Sequence, residues 1–201
     1  MTALLEAALL ETDSDRLLAA IRLLLAEKQI ATDDEIALAR ERTDKASPAQ
    51  GARMVARAWL DPAFRALMLE DGAKAADSLG IPMLGLPPLG VLENTETTHN
   101  LVVCTLCSCY PRGVLGYPPF WFKSVGYRAR AIRDPAGVLA EWNTVLPAGT
   151  AIRVVDSTAD YRWMVLPRRP AGTEGWDEAR LAALVTAETM IGVTLPVRPP
   201  D

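Results

Sequence analysis

All three cysteines of this 201-residue chain fall within one six-residue stretch, at Cys104, Cys107 and Cys109. A tight loop with the spacing Cys-x-x-Cys-x-Cys can bring three sulfurs to one point, where they would form one face of a metal site. The odd number of cysteines and their short separation exclude a disulfide framework. The chain is therefore expected to be organised around residues 104–109, which we call the cysteine loop.

Spacing alone leaves three roles open for the cysteine loop: a metal site, reactive redox thiols or chemically inert cysteines. Structural zinc fits poorly, because zinc normally takes four ligands and the chain offers one histidine, His99, and no second Cys-x-x-Cys pair. A thioredoxin-like dithiol would use Cys104 and Cys107 and leave Cys109 without a role. A serine hydrolase triad is implausible with a single histidine.

The length and charge of the chain argue against several classes of protein. Its 201 residues suit one domain with an appended arm. A net charge of −4 and the absence of a basic run argue against nucleic-acid binding. The first residues lack the positive region of a signal peptide, their apolar run ends at Glu11, and no stretch is long enough to span a membrane. With free thiols and no export signal, the expected compartment is the cytoplasm.

Helical signals dominate the first eighty residues, and mixed strands and helices follow. Thr32 and Glu35 have the spacing of a capping box, and Asp61 precedes a proline as helix caps often do. We expect an N-terminal helical arm at residues 1–46, which packs its apolar stripe on another chain or folds it back on the core. A metal-binding domain is expected at residues 47–201.

The second half of the chain predicts short strands around the cysteine loop. Residues 101–103 are apolar and β-branched, as in a buried strand that presents Cys104, and they follow a predicted loop over residues 81–92. Residues 151–155 and 161–166 flank a polar turn and predict a hairpin. Further helices are expected at residues 135–142 and 177–185. This order indicates an α+β fold, with a layered α/β/β/α-type domain after the arm.

The cysteine loop lies in an ordered series of motifs that resembles the alpha subunit of nitrile hydratases. The series includes VCTLCSCYP at 103–111, LGYPP at 115–119 and PAGTEGW at 170–176, with further matches at 51–53, 61–65, 93–95, 99–100, 127–130 and 153–159. The likeness extends from about residue 33 to residue 193. The gamma subunit of thiocyanate hydrolase shares the loop and much of the series, and it is the alternative. A non-catalytic thiol protein that carries metal is a third hypothesis.

The resemblance implies one low-spin trivalent metal held by the sulfurs of Cys104, Cys107 and Cys109 and by the deprotonated backbone nitrogens of Ser108 and Cys109. It also implies that Cys107 becomes a sulfinic acid and Cys109 a sulfenic acid. Soft sulfur and nitrogen donors favour a transition metal over magnesium or calcium. Thr105 resembles the cobalt class, whereas serine is usual there in the iron class, so Co(III) is expected and Fe(III) is less favoured.

The implied reaction adds water to a nitrile to give an amide, with the metal as a Lewis acid and the Cys109 sulfenate as nucleophile or base. Three sulfur anions and two amidates around a trivalent ion leave about two excess negative charges, which are costly in a buried site. In relatives a beta subunit, one chain or split in two, supplies arginines that neutralise them. This chain is therefore expected to be inactive alone and to need an activator for cobalt loading.

Two departures from the family bear on the substrate. Most relatives carry Trp-Pro after the loop, where this chain has Arg112 and Gly113. Arg112 is therefore a candidate catalytic residue beside Cys107 and Cys109: it could admit a bulkier or more polar nitrile, such as a heterocycle or nucleoside, or supply positive charge, or remain a solvated rim residue. Gly85 and Pro87 stand where relatives often carry Gln and Glu, so a supporting hydrogen bond is expected to be lost.

Other polar and aromatic residues have mainly structural interpretations. His99 is expected to be a hydrogen-bonded loop residue rather than a ligand. Residues 156–158 are expected to form a turn. The remaining expectations are structural ion pairs, some across a subunit interface, for Arg128, Arg130 and Arg162, and core or interface positions for Trp121, Phe122 and Tyr127.

Overall fold

The computed structural model describes residues 14–83 and 85–199, apart from the side chains of residues 42 and 43. Internal contacts divide the chain into two compact units, residues 1–44 and residues 45–201. The boundary expected between residues 46 and 47 remains a prediction. Within residues 14–83 and 85–199, no helix is both long and apolar enough to cross a membrane.

Two helices make up the described part of the first unit, α1 (Ser14–Glu27) and α2 (Asp33–Lys45). The predicted capping box is confirmed: the Thr32 backbone N donates to Glu35 Oε2 at 2.7 Å, and the Glu35 N donates to Thr32 Oγ1 at 3.2 Å. Arg22 and Asp33 form an ion pair at 2.8 Å. Apolar side chains such as Leu18 remain exposed on these helices.

Three helices open the second unit, α3 (Pro48–Leu60), α4 (Pro62–Glu70) and α5 (Gly72–Ser78), and the last two are capped by side chains. The Asp61 side chain accepts hydrogen bonds from the backbone N of Ala63 and Phe64, and Asp71 accepts one from Lys74. A cap of this kind contributes about 1 kcal/mol. The helix start predicted at Asp61 is therefore confirmed.

The four described strands form two small parallel pairs. β1 (Leu89–Glu93) pairs with β4 (Arg162–Leu166), and β2 (Thr98–Val103) pairs with β3 (Ala151–Asp156). The hairpin predicted from residues 151–155 and 161–166 is therefore wrong. The chain does turn there, since the Thr158 N donates to the Tyr161 carbonyl at 2.9 Å. The two strands nevertheless enter different sheets, because each pairs with an earlier strand whose backbone would otherwise lack partners.

Helices pack against both strand pairs. The remaining elements are α6 (Arg112–Leu115), α7 (Phe120–Lys123), α8 (Val125–Arg133), α9 (Pro135–Glu141), α10 (Glu178–Ala182) and α11 (Ala187–Ile191). Helices α4 and α5 contact β1, α11 contacts β2 and β4, α8 contacts β2, α9 contacts β3, and the two strand pairs contact each other. The α+β class is thus confirmed, and the arrangement agrees with the layered domain expected from the sequence.

Element boundaries differ from the predicted ones near the cysteine loop. The buried strand begins at Thr98 rather than at residue 101, and β1 occupies the end of the stretch predicted as a loop. The segment after the cysteine loop contains the short helices α6 and α7 between its prolines and glycines. These additions share a cause: long-range pairing and packing stabilise short elements that local sequence patterns do not specify.

Candidate metal centre

The cysteine loop begins where β2 ends. Val103 is the last residue of β2, and its register partner in β3 is Asp156. The ladder continues one step further, because the Ser157 N donates to the Val103 carbonyl at 2.7 Å. The first cysteine therefore follows a strand that is buried from His99 to Val103 and hydrogen-bonded to β3, which fixes the position of its backbone.

The three thiol sulfurs converge, as the spacing predicted they could. Cys104 Sγ lies 3.6 Å from Cys107 Sγ, Cys107 Sγ lies 3.2 Å from Cys109 Sγ, and all three lie within 4.8 Å of one another. These separations are too long for disulfides, whose sulfurs lie about 2.05 Å apart. Two sulfurs bound to one ion at about 2.3 Å can lie at most about 4.6 Å apart, and the separations of 3.6 and 3.2 Å are within that limit. The donor set therefore fits a single soft transition-metal ion.

The three cysteines differ in solvent exposure. Cys104 and Cys109 are 1% and 7% exposed, whereas Cys107 lies at the surface. The Cys107 backbone N donates to Cys104 Sγ at 3.3 Å, so the loop folds its own amide onto its own sulfur. One sulfur of the cluster is thus open to solvent or to a partner, and two are enclosed by protein.

Thr105 is clamped to the end of β3. Its backbone N donates to Asp156 Oδ1 at 3.0 Å, and its hydroxyl donates to Asp156 Oδ2. From the other side, Arg128 Nη1 donates to the Thr105 carbonyl at 3.3 Å. A hydrogen bond to a charged group typically contributes about 1.5–3 kcal/mol. The first turn of the cysteine loop is therefore held by charged residues from β3 and α8.

The thiols differ in acidity. Hydrogen bonds from the Cys109 thiol, and then from the Ser108 amide and the Cys104 thiol, lower the pKa of Cys107. Burial raises the pKa of Cys109 to about 12, and the neighbouring Cys107 and Cys104 sulfurs act in the same direction. One negative charge is thus stabilised on the exposed Cys107, while a second is opposed. A bound cation would reverse this, because metal ligands bind deprotonated and release their protons.

A cavity of about 400 Å³ opens on the cysteine loop. Its polar lining comes from Cys107, Ser108, Cys109, Arg112 and Arg162. Its apolar lining includes Met83, Leu86, Pro87 and Leu89. The cavity has the size and the mixed lining of a site for a small organic molecule.

The two arginines of the cavity are held differently. Arg112 is exposed, and its guanidinium carbon lies 5.4 Å from the centroid of the Tyr117 ring. Arg162 is partly buried, and its Nη1 is buried without a hydrogen-bond partner among the residues that the structure describes. Sequence reasoning placed Arg112 near the site but assigned Arg162 to a structural ion pair, because nothing in the sequence around residue 162 marks it as a neighbour of Cys109.

Arg128 and Arg130 are the other two arginines for which the sequence predicted structural ion pairs. Arg130 forms the predicted ion pair, with Glu141. Arg128 donates to the Thr105 carbonyl, as described above, and its Nε is buried without a partner in the described part of the chain. The ion-pair prediction is therefore confirmed within the chain for Arg130, whereas Arg128 contacts the cysteine loop itself.

His99 lies inside β2 and not in a loop before it, but it is hydrogen-bonded as predicted. Asn94 Nδ2 donates to His99 Nδ1 at 3.1 Å, and His99 Nε2 donates to the Gly192 carbonyl at 2.7 Å. Burial lowers the pKa of His99, which keeps the ring neutral. Both nitrogens are engaged, so His99 is not available as a metal ligand in this arrangement.

Aromatic side chains pack behind the cysteine loop. Tyr110 and Phe122 meet edge to face at 5.0 Å, and Trp121 meets Tyr127 at 4.9 Å. The Tyr127 hydroxyl donates to the Val102 carbonyl at 2.6 Å, next to the loop. Phe122 and Tyr127 are buried, so the core positions expected for them are confirmed.

Fold and site together define a class: an α+β subunit that presents a three-cysteine metal loop at the end of a parallel strand pair. The family model described as "Nitrile hydratase, alpha chain" matches residues 12–194. The chain therefore belongs to the nitrile hydratase alpha chain family, a family of hydro-lyases, and the resemblance found in the sequence is confirmed. An alpha chain implies a partner subunit.

Relatives and solved structures agree with this assignment. The chain is 46% identical over 181 residues to the low-molecular weight cobalt-containing nitrile hydratase subunit alpha of Rhodococcus rhodochrous, covering 90% of this chain and 87% of the relative. It is 40% identical to the thiocyanate hydrolase subunit gamma of Thiobacillus thioparus, covering 92% and 81%. Cobalt thus appears in the name of a nitrile hydratase relative.

Two similar structures come from both branches. A double mutant of the Fe-type nitrile hydratase from Comamonas testosteroni Ni1 superposes with a TM-score of 0.78 at 39% identity, covering 94% of this chain and 98% of that one. A recombinant thiocyanate hydrolase comprising partially-modified cobalt centers superposes with a TM-score of 0.80 at 38% identity, covering 95% and 97%. Iron and cobalt proteins therefore share this fold.

Proposed function

We propose that this chain is the metal-binding subunit of a nitrile hydratase and that Cys104, Cys107, Cys109 and the backbone of Ser108 hold its metal. The observation that carries the proposal is the convergence of three sulfurs within 4.8 Å, in a chain of the nitrile hydratase alpha family. Co(III) is the proposed ion, supported by Thr105 in the loop and by cobalt-containing relatives. Such an ion would supply Lewis-acid polarisation to a nitrile in the cavity.

In this proposal, different residues of the cavity would bind the nitrile and act on water. The apolar wall of Met83, Leu86 and Leu89 would bind the organic part of the substrate and exclude bulk water. Cys109, oxidised to a sulfenate, would place a basic oxygen at the cavity. As a base, this oxygen would take a proton from water as the water oxygen bonds to the nitrile carbon. As a nucleophile, it would bond to that carbon itself while the C–N π electron pair moves to nitrogen; water would then displace the sulfenate, pass its protons to nitrogen and release the amide.

The different exposure of the two sulfurs supports a different degree of oxidation for each. The sulfinic acid proposed for Cys107 is supported by its surface position and lowered pKa, since exposed thiolates oxidise most readily. The sulfenic acid proposed for Cys109 fits its enclosure, which would slow further oxidation of this sulfur. The free thiols also support a reducing compartment, and the cytoplasm is proposed.

The partner proposed for this chain is a beta subunit, of one chain or two, whose arginines would offset the excess negative charge of the loaded loop. A cobalt activator is proposed for metal loading. The arm at residues 1–46 is proposed to reach another chain, which is supported by exposed apolar side chains such as Leu18 and Leu38. Arg112 is proposed to select a bulkier or more polar nitrile, because it lines the cavity where relatives carry an aromatic wall.

A thiocyanate hydrolase subunit is the second candidate. Two guanidinium groups, those of Arg112 and Arg162, line the cavity, and positive charge suits an anionic substrate. The likeness to a thiocyanate hydrolase gamma subunit over 92% of this chain supports the same candidate. The nitrile is preferred because the family model and the first relatives are nitrile hydratases.

One experiment tests both candidates. The chain is co-expressed with its genomic neighbours in cobalt medium, and the purified complex is examined for bound metal, for the mass of the loop peptide, and for turnover of aliphatic and heterocyclic nitriles and of thiocyanate. Stoichiometric cobalt, about three added oxygens on Cys107 and Cys109, and nitrile turnover are expected. Turnover of thiocyanate alone would favour the second candidate. Unmodified thiols with zinc or no metal would refute both and favour a metal carrier.

A further inference from the structure

Arg162 is fixed at the cavity by the strand that it begins. It is the first residue of β4, in register with Leu89 of β1, and its backbone N donates to the Pro88 carbonyl at 2.9 Å. Its side chain lines the cavity together with Cys107, Ser108 and Cys109. The position of the Arg162 backbone at the cavity is therefore determined by strand pairing and not by a mobile loop.

The guanidinium of the partly buried Arg162 has a nitrogen without a hydrogen-bond partner in the described part of the chain. Its Nη1 is buried and has no hydrogen-bond partner among the described residues. A buried polar group without a partner costs about 1–3 kcal/mol, and a charged group costs more. Such a cost is commonly offset by an anion that the group meets in the working state of the protein.

The cysteine loop is the source of anions in this cavity. Arg162 and Cys109 line the same cavity, so an anion on the Cys109 side of the loop would share that cavity with this guanidinium. A loaded and oxidised loop would carry about two excess negative charges, as counted above. A fixed guanidinium on the cavity wall is suited to offset part of that charge.

The other cations near the loop are placed for different tasks. Arg112 is exposed and lies against the ring of Tyr117. Arg128 donates to the Thr105 carbonyl and is not part of the cavity lining. Within the described part of the chain, Arg162 thus combines three properties: a position on the cavity, a buried nitrogen and no partner for that nitrogen.

We propose that Arg162 is a positioning residue of the metal centre, whose guanidinium donates charge-assisted hydrogen bonds to the Cys109 side of the cysteine loop. The inference rests on the proposed function, since it requires that the loop hold a metal. It changes the charge balance of the site, because this chain contributes one cation itself and the partner subunit need not supply them all.

Two substitutions and a matched control test the role of Arg162 in the assembled complex. Arg162→Met keeps an apolar stem of similar length and removes the charge, whereas Arg162→Lys keeps the charge and removes the planar fork. Arg168→Met is the control, because Arg168 is exposed, pairs with Glu96 at 3.2 Å and lies outside the cavity. The readouts are metal bound per complex, loss of metal to a chelator after dithionite reduction, oxygens added to the loop peptide, and Tm.

We expect Arg162→Met to lower metal retention by about tenfold to a hundredfold with fewer added oxygens, as is typical when a group that supports metal ligands is lost. Arg162→Lys should fall between this variant and wild type, and Arg168→Met should equal wild type. Equal retention and equal oxidation in Arg162→Met would overturn the inference while the proposed function stands. Absence of metal from the wild-type complex would overturn both. If Arg162→Met failed to fold, Arg162→Gln would remove the charge in its place, and metal retention and oxidation equal to those of wild type in that variant would overturn the inference.

Discussion

The two ends of β2 hold polar groups in opposite ways. At its first half, His99 is buried, neutral and hydrogen-bonded through both ring nitrogens, and Asn94 Oδ1 accepts from the backbone N and the side chain of Asn100. The cysteine loop follows the last residue of β2. Near this loop, Arg128 and Arg162 each have a buried nitrogen without a partner in the described chain. The same strand therefore joins a paired neutral network to an under-paired charged one.

This difference shows where the strand contributes stability and where it supports function. One atom near His99, Asn100 Oδ1, also lacks a partner among the described residues, but it is a neutral amide oxygen. A buried charged group without a partner costs more free energy than a buried amide without one, so the larger cost lies at the loop end of β2. Changes at the two ends should consequently fail in different assays, unfolding at one end and metal retention at the other.

Removal of one sulfur should have the largest effect. In Cys107→Ser the metal content of the complex should fall below about a tenth, and nitrile hydration should fall at least about 1000-fold, because a hydroxyl is a poor substitute for a soft thiolate donor. The Tm of the unloaded chain should stay within about 2 °C, since the thiol is exposed. Metal analysis, an amide assay and calorimetry measure the three quantities.

Leu106→Ala is the control for this prediction, because Leu106 lies in the same loop, is 85% exposed and carries no sulfur. It should bind metal as the wild type does. If Cys107→Ser kept full metal content, the three-sulfur site would be wrong.

At the His99 end of β2, a methyl group added to Gly192 should lower stability rather than metal retention. Gly192 has φ +91°, and a Cβ there would lie 2.0 Å from the Asn100 carbonyl oxygen, against backbone that cannot move aside cheaply. Gly192→Ala should lower the free energy of unfolding by about 3 kcal/mol or more, from overpacking and left-handed strain together. Urea unfolding followed by circular dichroism measures the loss.

Gly149→Ala separates the two causes, because Gly149 has φ +86° but a Cβ there meets nothing within 4 Å. It should cost about 1–2 kcal/mol, from strain alone. Similar losses in the two variants would show that the close approach to Asn100 does not matter.

Loss of the hydrogen bonds between Asp156 and Thr105 should affect both stability and metal retention, each to a moderate extent. Asp156→Asn replaces a carboxylate that accepts from the Thr105 N and hydroxyl by an amide with one acceptor oxygen. We expect a loss of about 1–2 kcal/mol in unfolding free energy and weaker retention of metal. Asp160→Asn, in the exposed turn that follows, should change neither quantity. Unchanged metal retention in Asp156→Asn would restrict the clamp to a structural role.

Acidification should give the smallest effect. The folded-state pKa of His99 is lowered by burial, so the unfolded chain binds the proton more readily. Its contribution to stability is present above about pH 6.5 and is lost as the pH falls from there through the lowered pKa of the folded state. Protonation would also place an N–H against the Asn94 amide group that now donates to Nδ1.

His99→Gln should therefore lose less stability than the wild type between about pH 7.5 and pH 5.5. Unfolding measured at the two pH values gives the difference, in which the carboxylates common to both proteins cancel. Equal acid sensitivity would exclude His99 as its source.

Local signals in the sequence predicted the parts of the molecule that local interactions determine. The capping box at Thr32 and the convergence of sulfurs at 104–109 involve residues close in sequence. The predicted hairpin was wrong because strand partners are determined by long-range burial. His99 was placed in a loop because only the pairing of β2 with β3, which sets His99 opposite Ile152, extends the strand to it. Arg162 was missed for the same reason, since only the pairing of β4 with β1 brings it to the cavity.

The clamp between Thr105 and Asp156 joins positions 51 residues apart. During synthesis at 5–20 residues per second, this separation corresponds to roughly 3–10 s in which the cysteines have left the ribosome and their clamp has not been made. The parallel pairing of β2 with β3 must wait for the same interval, because β3 is synthesised after β2 by a similar number of residues. The nascent chain therefore passes through an interval in which its three thiols lack the clamp, and a metal ion or oxidant that reached them then would meet an unclamped loop.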